Sequence, residues 1–176
     1  GEMILVSGGD FYLAFDGHLG AIDSYVFKGQ SLMTQGPAPQ LWRAPTDNDT
    51  PGQAKEWQAM GLDRLTSRVT GLEVSQPQPQ AVVITVTLRL AAIYLKPVMD
   101  VTTTYTVYGD GQLRVDTAFK PLITGEALDR FMEQMHVHGR SGECTAFGLP
   151  RMGLTLSLPA TMDQVVWYGK GPHESY

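Results

Sequence analysis

The side chains that could do chemistry are concentrated in two short stretches of the chain. Residues 41–52 read L-W-R-A-P-T-D-N-D-T-P-G and combine a guanidinium, carboxylates, an amide and prolines. Residues 167–176 read W-Y-G-K-G-P-H-E-S-Y and place a histidine and a glutamate in a turn. Cleavage of a glycosidic bond is one chemistry for such acids, and it needs two carboxyl groups about 5.5 Å apart for retention and farther apart for inversion. Asp47, Asp49 and Glu174 are the acids of the chain that lie inside these distinctive stretches.

The first stretch is predicted to form a rigid loop. Arg43 can pair bidentately with Asp47 or with Asp49, and the residue types leave that choice open. Prolines fix the backbone on either side, and Asn48 with Asp49 favours turns closed by side-chain hydrogen bonds. An aspartate held beside a guanidinium has a lowered pKa and serves as a fixed acceptor, not as a proton donor. The sequence alone therefore yields no acid and base pair.

Two interpretations of this loop remain open. Its ion pair could simply brace neighbouring strands, since ion pairs in loops are usually structural. Alternatively, the loop presents polar groups to a sugar or to another domain. Directly after it we predict a short helix over 53–60 that ends at Gly61. Thr50 is its expected N-cap, Pro51 stands at the first helical position and Gln53 completes a capping box.

The rest of the chain is predicted to be antiparallel β-structure. Residues 81–92, 99–108 and 113–120 alternate apolar and polar side chains with the two-residue period of a strand that is buried on one face. Turn residues separate these segments, which predicts a sheet covered on one side and hence a sandwich. Further strands are expected at 3–6, 11–15, 19–27, 31–34, 65–74, 151–157 and 164–168, with a turn at Asp16-Gly17, a stiff connector at 36–39 and another turn at 76–80.

Composition limits the class of partner. The chain has 176 residues, a net charge of −5 and only 13 lysines and arginines, which argues against nucleic acid or an anionic membrane surface as a partner. No apolar run reaches the roughly 18 residues of a spanning helix. We expect a single soluble domain, and its compartment, cytoplasmic or periplasmic, stays open.

A metal site is not predicted. Cys144 is the only cysteine, which excludes an internal disulfide. His136 and His138 lie near Glu133 and Cys144, but their spacing fits no zinc pattern well. This part of the chain, 121–148, is compatible with either a short helix or an irregular loop.

The two polar stretches carry a family resemblance. R-A-P-T-D-N-D resembles the motif that opens the C-terminal, small-chain domain (domain 5) of family 2 β-galactosidases, and W-Y-G-K-G-P-H-E-S-Y is similar to a second motif of that domain. Both occur in the family's order. On this resemblance the site residues of interest, for substrate or for a domain interface, are Arg43, Asp47, Asn48, Asp49, Trp167, His173 and Glu174, and none is expected to be catalytic.

The resemblance implies a fold and a role. The fold is an all-β, antiparallel β-supersandwich similar to galactose mutarotase, here over 1–176 as a single domain cut short, because the family domain continues beyond the position of Tyr176. In the family the two catalytic glutamates lie in a preceding barrel domain. The expected role is therefore to pack on the catalytic barrel and help shape the sugar pocket of an enzyme that hydrolyses terminal β-D-galactosides.

The same resemblance sets the expectations about cofactors and partners. No cofactor or metal is expected in this chain, while Mg²⁺ or Na⁺ is expected for the parent enzyme. The expected partners are the barrel of the same polypeptide, the galactoside and, for the parent, further copies of itself. Two alternatives stay open, a free-standing carbohydrate-binding or mutarotase-like module and a domain that serves only as an assembly surface.

Overall fold

A computed structural model of the chain describes residues 2–49, 53–123, 149–164 and 166. These residues form three antiparallel sheets and one short α-helix, which confirms the predicted all-β fold. In chain order the elements are β1 Met3–Ser7, β2 Phe11–Asp16, β3 Ala21–Phe27, β4 Gln30–Met33, β5 Gln35–Gln40, α1 Gln53–Ala59, a 3-10 helix Leu62–Arg64, β6 Thr66–Gln78, β7 Ala81–Ala91, β8 Met99–Tyr108, β9 Leu113–Pro121 and β10 Gly153–Ser157.

The first sheet is a meander with the order β1-β2-β3-β4, built from the four strands expected at the start of the chain. The turn between β2 and β3 differs from the expected tight turn at Asp16-Gly17. The loop spans 17–20, because the Asp16 carboxylate accepts hydrogen bonds from the amides of His18 (2.7 Å) and Leu19 (3.0 Å). Gly20 then closes it at φ 69°, a conformation that favours glycine.

The second sheet has the order β6-β7-β8-β9 and confirms the alternating pattern. Its inward side chains are buried and include Ile84, Val86, Val101 and Tyr105. Strand β6 continues to Gln78, beyond the predicted end at residue 74, with an irregular register before the turn. Because β6 lies at the edge of the sheet, its Pro77 does not need to donate a hydrogen bond to a further strand.

Strand β5 corrects the sequence-based prediction of a stiff connector over 36–39. This proline-rich segment is a strand that pairs antiparallel with β10, from a much later part of the chain. A Cβ atom at Gly36 would lie 2.7 Å from the carbonyl oxygen of Ile22, so β5 runs directly against β3. A partner so distant in sequence leaves no local pattern, which is why the strand was missed.

The core lies between the first and second sheets. Phe15 of β2 and Tyr105 of β8 meet edge to face with their ring centroids 5.4 Å apart, and both are buried. Burial raises the pKa of Tyr105 to about 12, and its hydroxyl donates a long hydrogen bond of 3.4 Å to the carbonyl oxygen of Pro37. The sheets therefore form the predicted sandwich, with β5 held against its core.

The predicted helix is present at Gln53–Ala59, and Gly61 follows it at φ 70°. Trp57 is the large side chain that α1 buries in the core. The predicted N-cap, Thr50, and Pro51 lie outside the described residues. In the part of the chain that the structure describes, no helix combines the length and apolar character that crossing a membrane would need.

Candidate functional site: a braced polar corner

The structure decides which aspartate pairs with Arg43. The guanidinium Nη1 lies 2.6 Å from Asp49 Oδ2, and Nη2 lies 3.0 Å from Asp49 Oδ1, a bidentate ion pair. Asp49 is only 8% exposed, whereas Asp47 is exposed to solvent. We call residues 43–49 the polar corner. A buried carboxylate needs such a partner, because burying an unpaired charge is costly.

Thr46 completes the surroundings of the buried carboxylate. Its backbone amide and its hydroxyl both donate to Asp49 Oδ2, at 2.7 and 2.8 Å. The Arg43 guanidinium first, and then the Thr46 donors, hold the pKa of Asp49 well below its usual range. Asp49 is therefore ionised over the whole neutral range and works as a structural acceptor.

The backbone ties the polar corner to the helix that follows. The Asp49 amide donates to the Thr46 carbonyl oxygen at 3.0 Å, which closes a tight turn. The Asp49 carbonyl oxygen in turn accepts from the Ala54 amide of α1 at 3.1 Å. One residue thus holds the loop through its side chain and the helix start through its main chain.

Arg43 also connects the polar corner to two other parts of the fold. Its Nε donates to the Pro150 carbonyl oxygen at 3.0 Å, just before β10. Its guanidinium carbon lies 5.1 Å from the ring centroid of Trp57, a cation–π contact, and Trp42 meets the same ring edge to face at 6.5 Å. A single guanidinium therefore links the loop, α1 and the segment leading into β10.

The tip of the polar corner, Asp47 and Asn48, lies at the surface. Asp47 and Asn48 are exposed, and neither side chain has a hydrogen-bond partner among the residues that the structure describes. A carboxylate and an amide can together accept and donate hydrogen bonds to hydroxyl groups. The arrangement is thus a rigid base that carries two available polar groups.

Comparison with known proteins assigns the family. A family model described as the β-galactosidase small chain matches residues 7–176, which include the polar corner and both motifs. The chain belongs to the β-galactosidase small-chain family. This confirms the resemblance found in the two motifs.

Curated relatives of this small-chain domain are themselves β-galactosidases. The chain is 29% identical to the enzyme of Priestia megaterium over 183 residues, 30% identical to that of Halalkalibacterium halodurans over 175 residues, and 32% identical to that of an Arthrobacter species over 168 residues. These matches cover 99%, 97% and 82% of the chain but only 14%, 15% and 14% of the relatives. The small-chain domain therefore spans about one seventh of the length of these relatives.

The other predicted site residues of the small-chain domain lie outside the described residues. These are Trp167, His173 and Glu174 of the second motif, and the same holds for the weak metal candidates Glu133, His136, His138 and Cys144. The predicted strand over 164–168 is described only at residues 164 and 166, and neither is in a strand. Within the described ranges, no group of three histidine, cysteine, aspartate or glutamate side chains could hold a metal ion.

Sequence reasoning missed one residue of the polar corner. Thr46 supplies two of the donors to Asp49, yet it was not singled out. The signal was present, because a threonine three residues before an aspartate can close a local side-chain turn. The edge-to-face contact between Trp42 and Trp57 had no such local signal, since helix α1 brings the two rings together in space.

The low pKa of Asp49 predicts how acid affects stability. The folded pKa lies below the unfolded value of about 4, so the ionised carboxylate stabilises the fold above that pH, and this contribution is lost as the pH falls through the folded value. Asp49→Asn should therefore lower the urea midpoint at pH 7 and flatten its decline below pH 4. Asp47→Asn, at the exposed tip, is the control and should follow the unmodified chain. Parallel acid profiles for Asp49→Asn and the unmodified chain would contradict the assignment.

Proposed function

We propose that this chain is the non-catalytic small-chain domain of a larger β-galactosidase that hydrolyses terminal β-D-galactosides. The observation that carries the proposal is the family match over residues 7–176, together with relatives named β-galactosidases of which the chain spans 14 to 15%. The domain would pack on the catalytic barrel of the same polypeptide and help shape the sugar pocket.

The chemistry of the polar corner favours a structural role for it over a catalytic one. A glycosidase needs one carboxyl group that still holds a proton at the working pH. Asp49 does not qualify, because Arg43 and Thr46 keep it ionised and occupy both of its oxygens. The catalytic glutamates are accordingly proposed to lie in the barrel.

The exposed tip is the part of the corner that we assign to the sugar pocket. Asp47 and Asn48 are held by a loop whose base is fixed to α1 and to Pro150. Hydrogen bonds from groups that are fixed in advance cost less ordering on binding. The use of Mg²⁺ or Na⁺ by the parent enzyme, and its assembly from several copies, stay predictions.

The corner can be tested in the full-length parent enzyme. Asp47→Asn and Asn48→Ala should each raise KM for a chromogenic β-galactoside by up to about tenfold with little change in kcat, since each removes roughly one hydrogen bond to bound sugar. Steady-state kinetics measures both constants. Asp23→Asn is the matched control, because Asp23 is an exposed aspartate on β3, and it should leave both constants unchanged.

Two results would overturn the proposal. One is unchanged kinetics for both corner variants, which would show that the tip does not contribute to the sugar pocket. The other is a parent gene that encodes no barrel with two glutamates ahead of this segment. That second result would favour the alternative, a free-standing carbohydrate-binding or mutarotase-like module.

A further inference from the structure

A cleft of about 280 Å³ lies beside the polar corner, on the other side of the same segment. Strand β5, the 3-10 helix Leu62–Arg64 and the start of β6 form its walls. Trp42 lines it, whereas the next residue, Arg43, points to Asp49 and Pro150. Successive side chains of one segment therefore serve two different surfaces.

The floor of the cleft is apolar and fixed. Leu41, Leu62 and Leu90 line it and are buried in the core. The partly buried Trp42 forms a flat wall, and its indole is held edge to face against the buried Trp57 at an interplanar angle of 89°. An aromatic ring in such a setting is already in place before any ligand arrives.

The rim of the cleft is polar and has unused hydrogen-bonding capacity. The side chains of Gln40 and Ser67 line it and have no hydrogen-bond partner in the described part of the chain. Asp63 uses Oδ1 for a 2.9 Å contact with Arg64, and its Oδ2 has no described partner. An amide, a hydroxyl and a carboxylate oxygen thus surround an apolar floor with an aromatic wall.

We propose that this cleft binds a single pyranose ring. A sugar ring has an apolar face of C–H groups that packs on an aromatic surface, and a rim of hydroxyls that need both donors and acceptors, which the cleft offers. Ligand sites of roughly 300 Å³ are at the small end of the usual range, a size that suits one ring and not a chain of them. The unpartnered rim argues against a purely apolar ligand, because burying those groups without hydrogen bonds is unfavourable. The choice of sugars to test rests on the proposed function.

The experiment is an NMR titration of the 176-residue chain with methyl β-D-galactopyranoside, methyl β-D-glucopyranoside and, as a polyol without a ring, sorbitol. The expected result is saturable shifts of the Trp42 indole and the Gln40 side-chain amide with millimolar affinity for at least one glycoside and none for sorbitol. Comparing the two glycosides shows whether the ring is selected as a galactoside or only as a pyranose, and either result fits the proposal.

Variants locate the binding. Asp63→Asn and Gln40→Ala should each weaken glycoside affinity by about three- to tenfold, the size of one lost hydrogen bond. Asp116→Asn is the matched control for Asp63→Asn, since Asp116 is also an exposed aspartate paired with a nearby arginine, here Arg114 at 2.7 Å. It should bind like the unmodified chain, and all variants should keep the dispersed amide spectrum of a folded chain.

Three outcomes would overturn the inference, namely no saturable shift with either glycoside, shifts confined to residues away from the cleft, or equal affinity for Asp63→Asn, Gln40→Ala and Asp116→Asn. The proposed function would survive each of them, because it is judged by the kinetics of the corner variants in the parent enzyme. Conversely, unchanged kinetics for Asp47→Asn and Asn48→Ala would not contradict the inference that the cleft binds a glycoside.

Discussion

Replacing Phe15 with alanine is expected to remove a large part of the stability of the fold. Phe15 is completely buried between the two large sheets, and its ring contacts Tyr105 edge to face at 5.4 Å. Truncating such a side chain costs about 3–5 kcal/mol through lost burial and the cavity that remains. Because a domain is stable by only about 5–15 kcal/mol, urea denaturation should show a midpoint far below that of the unmodified chain.

Tyr12→Ala is the matched control for this substitution. It removes an aromatic side chain from the same strand, but Tyr12 is 49% exposed on the other face of β2. Its cost should be well below that of Phe15→Ala, since much of the ring is already in water. Equal losses of unfolding free energy from the two variants would show that β2 does not bury its Phe15 face against the second sheet.

Replacing Arg43 with lysine should produce the largest loss of activity in the parent enzyme. Lysine keeps the charge but cannot form the forked pair with Asp49 while also donating to Pro150. The loop carrying Asp47 and Asn48 would then lose its fixed position. A displacement of about 1 Å at a substrate-positioning group can cost on the order of a hundredfold, so kcat/KM should fall by about 10- to 100-fold.

Arg89→Lys tests whether the loss is specific to the polar corner. Arg89 forms the same forked pair with Asp100, at 2.8 and 2.8 Å, on the outer face of β7 and β8. That variant should keep kcat/KM near the unmodified value. Similar losses for both lysine variants, or full activity of Arg43→Lys in an enzyme that remains folded, would show that the forked pair at Arg43 serves stability alone.

The elements predicted best from sequence are those specified by neighbouring residues. Strands β7 and β8 alternate so regularly that their buried faces, including Ile84 and Val101, could be named in advance. The Lys28-Gly29 turn between β3 and β4 is equally local. Both residues have positive φ, which a two-residue hairpin turn needs in order to match the twist of its strands. Side-chain period and turn chemistry are local properties, so the sequence reveals them directly.

The elements that sequence could not predict depend on contacts between distant segments. Strand β5 forms because β10 pairs with it, and no feature of residues 35–40 indicates that partner. The wall of the cleft formed by Trp42 likewise depends on β6 and on the 3-10 helix folding against β5. Such pairings are chosen by the burial of the whole core, which no short window of sequence contains.

The polar corner shows most clearly which features the sequence determines and which depend on the fold. By itself the sequence determined that a guanidinium and two aspartates share one rigid loop and that the loop belongs to a β-galactosidase small chain. Only the tertiary structure decided that Asp49 is the partner of Arg43 and that Asp47 is left exposed. Both aspartates are within reach of Arg43 along the chain, but only the folded environment of Trp57, Pro150 and Thr46 buries one carboxylate and therefore requires it to be paired.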